Sequence, residues 1–152
     1  MEIERLAVQD LHRLTELFEY NNVEEMISEC THEIQNGKLD IFVLYDKDVL
    51  LGELHVMYES DDERYAMRGK RAYLFAFRVR EGVRNKGYGT YLLKSVLGIL
   101  QEDGYCEFTV GVEDDNLRAI HMYQALGFTE FVLRKQEEYQ GDAYEYNLYL
   151  KR

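Results

Sequence analysis

Between Phe77 and Leu100 the chain passes from an apolar run, Phe77-Arg78-Val79, through a basic, glycine-bearing stretch, Gly82-Val83-Arg84-Asn85-Lys86-Gly87-Tyr88-Gly89-Thr90, into an apolar-periodic run that starts at Tyr91. This reads as a strand, a tight turn and a long helix. Gly87 and Gly89 have no side chain to hold a ligand off the backbone, and the first N–H groups of the helix have no intrahelical partner. The helix dipole favours negative charge at that end, and Arg84 and Lys86 add cations beside it. A pyrophosphate is the natural guest. A P-loop is excluded because no Gly-Lys-Ser/Thr closes the stretch, and the dinucleotide fingerprint fails because Leu92 stands where its third small residue belongs.

With 152 residues, 46% of them hydrophobic, the chain is expected to form one domain over 1–152 with its own core. It shows no low-complexity tract, no repeat at solenoid spacing and no Pro/Gly/Ser linker. Met1-Glu2-Ile3-Glu4-Arg5 lacks the basic lead-in of a signal peptide, and no apolar run approaches the roughly 20 residues of a membrane span. Cys30 and Cys106 make neither a disulfide framework nor a metal-ligand spacing. A soluble, cytoplasmic protein without a metal or a membrane partner is the expectation. The net charge of −11 speaks against a nucleic-acid partner and agrees with a cationic small substrate, although acidity also serves solubility alone.

Taken in order, Ile3 to Leu6 suggests a short strand, and Gln9-Asp10 opens a helix carrying Leu11, Leu14, Leu17 and Phe18. Asn22 caps a second helix through Ile34, which Gly37 ends. Asp40 to Asp46 and Val49 to Tyr58 form a hairpin, apolar on both faces of its first strand and therefore central and covered. Glu59 to Lys70 is a polar loop, and a strand follows from Arg71 or Ala72 to Val79. On the next helix Tyr88, Tyr91, Leu92, Ser95, Val96, Ile99 and Leu100 form the buried stripe, widened by Leu93 and Leu97. Gly104 stops that helix, Tyr105 to Val112 returns as a strand, and strands over Phe128 to Lys135 and Ala143 to Leu150 flank the turn region Gln140-Gly141-Asp142.

Two blocks carry a family resemblance: Arg84-x-x-Gly87-x-Gly89 after an apolar strand, and Asn116-x-x-Ala119-Ile120-x-x-Tyr123-x-x-x-Gly127-Phe128 after the next one. Together they resemble the GNAT superfamily of acyl-CoA-dependent N-acyltransferases. The motif-level likeness spans about Phe77 to Phe128, and the order of elements agrees over nearly the whole chain. The resemblance implies a mixed α/β, single-domain GNAT-like fold: a central, mostly antiparallel seven-stranded sheet flanked by about four helices, with a V-shaped split between strands four and five. It implies acetyl-CoA as co-substrate and no metal.

By the same resemblance, the backbone of Phe77 and Val79 pairs with the pantetheine arm. Arg84, Asn85, Lys86, Gly87, Tyr88, Gly89 and Thr90 hold the pyrophosphate, and Asn116 reaches the cofactor arm besides being a natural helix cap. Tyr123 is the general acid that protonates the leaving thiolate, and the backbone N–H near Val79 polarises the thioester carbonyl. The early helical region forms one wall of the acceptor site. The strand Tyr73–Phe77 carries no carboxylate where base-bearing members have one, which leaves Glu53 as a tentative general base, with His55 and Glu113 beside it. The reaction implied is direct transfer, in a ternary complex, to a small-molecule amine or a protein amine, by an enzyme that forms a homodimer through its C-terminal strands by family habit. The alternatives are an acyl-CoA-binding regulatory protein without turnover and an interaction protein in which the glycine loop is only structural.

Overall fold

The computed structural model describes every residue from Met1 to Arg152. The chain makes two compact units, one of Met1–Met57 with Phe75–Asp103 and one of Tyr58–Leu74 with Gly104–Arg152. Its seven strands follow the sheet order β1-β2-β3-β4-β5-β7-β6, with three α-helices and one 3-10 helix. The mixed α/β class expected from the sequence is the class observed.

In the first unit, β1 (Glu2–Arg5) pairs antiparallel with β2 (Leu39–Asp46), and β2 with β3 (Val49–Met57). The helix expected from Gln9-Asp10 is a 3-10 helix, Val8–Glu16. Its inward leucines suit a helix of three residues per turn as well as an α-helix. Leu11 and Leu14 are three apart and both 0% exposed, and a helix of three residues per turn stacks such a pair on one line. Hydrogen bonds of matching span close it, Asp10 N–H to Ala7 O at 2.9 Å and Leu17 N–H to Leu14 O at 3.1 Å. Helix α1 (Val23–Gln35) starts where expected, because Asn22 accepts from the Glu25 N–H at 3.0 Å.

β2 is covered on both faces, as its apolar alternation requires. Ile41, Val43 and Tyr45 join Leu6, Leu11, Leu14 and Met26 in one core. Phe42 and Leu44 are buried on the other face, where helix α2 (Tyr88–Glu102) packs on β2 and β3. The buried stripe of α2 is Leu92, Leu93, Val96, Leu97 and Leu100, while Tyr91 is 44% exposed. The stripe expected from the sequence is turned too far towards Tyr91, because tyrosine scores as apolar yet keeps its hydroxyl in water.

Strand β4 (Arg71–Val79) contributes Arg71–Leu74 to the second unit, where they lie parallel to β5 (Glu107–Val112) in the register Arg71↔Glu107 to Leu74↔Val110. β5 begins after Tyr105, since Cys106 and Glu107 N–H both bond Lys70 O. Helix α3 (Leu117–Ala125) follows, and β7 (Asp142–Lys151) pairs antiparallel with both β5 and β6 (Glu130–Tyr139). The last hairpin runs further than its apolar pattern shows. Gln140 and Gly141 both take left-handed φ, 52° and 87°, the geometry of a two-residue turn that carries pairing to its tip. The Gln136–Glu138 stretch is polar on both faces because β6 is the outermost strand, where charge blunts the open edge.

Candidate active site

In the first unit the glycine stretch turns by left-handed backbone at Gly82, Asn85 and Gly87, with φ of 91°, 68° and 84°. Such alternation turns successive N–H groups towards one side, the arrangement of an anion nest. Tyr91 N–H is the first to bond back along α2, to Gly87 O at 3.0 Å. The N–H groups of Tyr88, Gly89 and Thr90 are therefore left to an outside acceptor. A side chain at Gly87 would meet nothing within 4 Å, so the face over the nest is open. Gly89 has a different duty: a Cβ there would stand 3.3 Å from Val79 Cγ2 and 3.4 Å from Phe77 Cζ, so its absence lets the helix start lie against β4. Arg84 is partly committed, its Nε donating to Val79 O at 3.2 Å, while the rest of its guanidinium and Lys86 add charge to the nest. These features fit a diphosphate ester.

Glu53 lies in the same unit, 0% exposed, at the centre of a polar chain. Its Oε2 is 2.7 Å from His55 Nε2, and its Oε1 accepts from Arg78 Nη1 at 3.2 Å. Arg78 also donates to the Tyr20 hydroxyl at 3.1 Å and lies 3.8 Å over the Phe18 ring. His55 in turn meets the edge of Phe75 at 5.3 Å. Glu53 and His55, two separate candidates in the sequence, are thus one bonded pair. Arg78, Phe18 and Tyr20 are new. Arginine in an apolar strand was the available signal, since a buried charge needs a partner. Phe18 and Tyr20 line an open pocket of ≈ 380 Å³ with Thr15, Glu16, Leu17, Glu19 and Val23, at the junction of the 3-10 helix and α1.

Inside β4, Ala76 adopts a left-handed φ of 48°. This strained position for a residue with a Cβ breaks the alternation between Phe75 and Phe77, and no residue type announced it.

The second unit holds the other two candidates. Asn116 caps α3, its Oδ1 accepting from Ala119 N–H at 3.2 Å, which leaves the Nδ2 donors for a ligand. Tyr123 is 8% exposed, edge-on to Phe128 at 5.6 Å. Burial pushes its phenol above the ordinary tyrosine range, so it is a proton carrier and not an anion at neutral pH. Glu113, the remaining base candidate, precedes the cap and accepts Asn116 N–H on its backbone oxygen at 3.1 Å. No group of His, Cys, Asp and Glu side chains is arranged to hold a metal ion.

The acetyltransferase (GNAT) family model matches residues 4–128. No curated protein sequence matches the chain. Among solved structures it is similar to a mutant spermidine N-acetyltransferase from Vibrio cholerae, at 17% identity and TM-score 0.75 over 99% of this chain and 94% of that one. A phosphinothricin acetyltransferase from Sinorhizobium meliloti in complex with acetyl-CoA superposes at TM-score 0.75 with 17% identity, over 99% and 86% of the two chains. A ribosomal-protein-alanine N-acetyltransferase from Brucella melitensis gives 0.73 at 16% identity, over 99% of both. With both hallmark blocks inside the matched span, the chain belongs to the GNAT family of acetyl-CoA-dependent N-acetyltransferases.

Proposed function

We propose that residues 1–152 act as one N-acetyltransferase domain, in the cytoplasm, that moves the acetyl group of acetyl-CoA directly to a primary amine on a small cationic molecule. The carrying observation is the anion nest at the start of α2, where unpaired N–H groups of Tyr88, Gly89 and Thr90 stand beside Arg84 and Lys86. In this reading Asn85 and Gly87 shape the nest. Phe77 and Val79 offer backbone to the pantetheine arm, and Asn116 donates its amide to it. A spermidine N-acetyltransferase among the structural neighbours and the net charge of −11 favour a cationic small acceptor over a protein amine.

Bound acetyl-CoA supplies an acetyl thioester, whose sulfur must leave as a protonated thiol. Tyr123 is the proton donor in this proposal. Its raised phenol holds its proton at neutral pH, which leaves the O–H available to hydrogen-bond to the sulfur as charge develops on it. Glu53 acts as base through His55: the Oε2 to Nε2 contact fixes the imidazole and leaves Nδ1 to take the proton of the acceptor amine. Arg78 bonds the other oxygen of Glu53 and so holds the carboxyl group in place against the imidazole.

Calorimetric titration with acetyl-CoA, coenzyme A and ADP tests the reading. Binding of acetyl-CoA on the order of micromolar, shared in part by coenzyme A, supports it and opens an amine screen for released thiol. No binding of any of the three overturns it, in favour of an interaction protein with a structural glycine loop.

A further inference from the structure

The turn that carries Asn116 is tied to the sheet of the second unit by side chains remote from it in the chain. β5 ends at Val112, which pairs with Asn147 of β7, and Asn147 pairs in turn with Arg134 of β6. Residues in one row of a sheet share a face. Asn147 and Arg134 therefore stand side by side, and Glu145 with Gln136 forms the next row on that face.

Beyond β5, Glu113-Asp114-Asp115-Asn116 closes a four-residue turn, with Asn116 N–H donating to Glu113 O at 3.1 Å. Asp114, the second residue of the turn, is gripped by both oxygens. Its Oδ1 accepts from Asn147 Nδ2 at 2.5 Å, and its Oδ2 accepts from Arg134 Nη1 at 2.7 Å. The same Nη1 donates to Asn147 Oδ1 at 3.0 Å, while Arg134 Nε donates to Glu145 Oε2 at 2.7 Å. Gln136 steadies Glu145 by donating to its Oε1 at 2.7 Å. The grip is a network and not a single pair.

Stability does not account for it. The Arg134 and Asp114 side chains are 47% and 59% exposed, and an ion pair in that setting adds little. Position is what such a network can fix, because a guanidinium donates from a rigid plane and its directions are set. Arg134 also holds the Asp114 carboxyl below the usual range, so both oxygens remain acceptors at neutral pH. Two residues on, Asn116 Oδ1 is held by Ala119 N–H at 3.2 Å. With the turn fixed on one side and the cap on the other, the Asn116 Nδ2 group keeps little freedom.

Resting on the acetyltransferase reading above, in which Asn116 donates to the pantetheine arm, we propose that Asp114, gripped by Arg134 and Asn147, is a positioning residue for acetyl-CoA. It aims the Asn116 amide and so sets affinity for the pantetheine part of the cofactor, not for its nucleotide part. The test is calorimetric titration of the full chain and its variants with acetyl-CoA, coenzyme A and ADP. Asp114→Ala and Arg134→Ala should each weaken acetyl-CoA and coenzyme A roughly three- to tenfold, the worth of about one hydrogen bond, with ADP affinity unchanged. Arg134→Lys should weaken them as much, since it keeps the charge and loses the fork. Asp114→Ala placed on Asn116→Ala should cause no further loss, because the two act as one unit. Wild-type affinity in Asp114→Ala, full rescue by Arg134→Lys, an equal loss for ADP, or additive losses with Asn116→Ala would each overturn the positioning role and leave the acetyltransferase reading standing. Absence of acetyl-CoA binding by the wild type would overturn that reading, and the positioning role with it.

Discussion

At the scale of single residues, the environment of each reactive group decides what it can do. Tyr123 is buried in apolar surroundings with no charge to offset desolvation, so its phenol keeps its proton at neutral pH and is available to the leaving sulfur as a hydrogen-bond donor. On the proposed mechanism, Tyr123→Phe lowers kcat at least tenfold and leaves acetyl-CoA affinity within twofold, measured by thiol release and calorimetry. Undiminished turnover would remove Tyr123 from the chemistry. The two cysteines differ for the same kind of reason. Burial first, then the charges of Glu29, Glu53 and Glu33, pushes the Cys30 thiol up to about 11, while Cys106 is exposed. The thiolate is the nucleophile. Titration of the native protein with a disulfide reagent at pH 8 should therefore show Cys106 reacting promptly and Cys30 only after unfolding; equal rates would mean that the core packing over Cys30 opens readily.

At the scale of elements, what was legible in the sequence is what local chemistry specifies. The nest before α2 and the asparagine caps at Asn22 and Asn116 rest on residues within a few positions of one another, and all can be read from residue type. The 3-10 helix cannot be told from an α-helix in the same way, because Leu11 and Leu14 fit a period of three as well as 3.6. Arg78 stands out as a charge in an apolar strand, but its pairing with Glu53 could not be read because the two lie 25 positions apart in the chain, and Ala76 could not because alanine carries no signal for left-handed backbone. The strain at Ala76 is testable. A left-handed residue with a Cβ costs about 1–2 kcal/mol, and a β-branched one is worse. In urea unfolding, Ala76→Gly should change stability by less than about 1 kcal/mol, whereas Ala76→Val should lower it by more than about 2 kcal/mol. Gly87→Val should cost both stability and acetyl-CoA binding, because it strains a left-handed residue and fills the open face of the nest. A valine variant that still binds acetyl-CoA would place the phosphates elsewhere.

For the whole molecule, the titrating groups set opposite edges to the range of stable pH. Tyr73, Tyr123 and Tyr146 all have phenols raised, by desolvation first. In the unfolded chain a phenol ionises near pH 10. Above that point the unfolded state sheds protons that the folded state keeps, so stability present below about pH 10 is lost as pH rises towards the folded values. Ionised phenols would also add to a net charge already at −11, and self-repulsion deepens the loss. On the acid side the direction reverses. Arg13 holds Glu16 below the usual carboxylate range, and Arg134 and Arg152 do the same for Asp114 and Glu130. Their contribution is present above about pH 4 and lost below it, but solvent screens these surface pairs and makes that edge shallow. Scanning calorimetry should thus find a midpoint that changes little between about pH 7 and 9 and falls steeply above about pH 10. Tyr123→Phe removes one raised phenol and should make the alkaline fall shallower, even though it lowers or preserves the midpoint at pH 7. If the wild-type midpoint held steady through pH 11, the three buried phenols would have to ionise in the folded protein as readily as in the unfolded chain, and their burial could not be what stabilises the second unit.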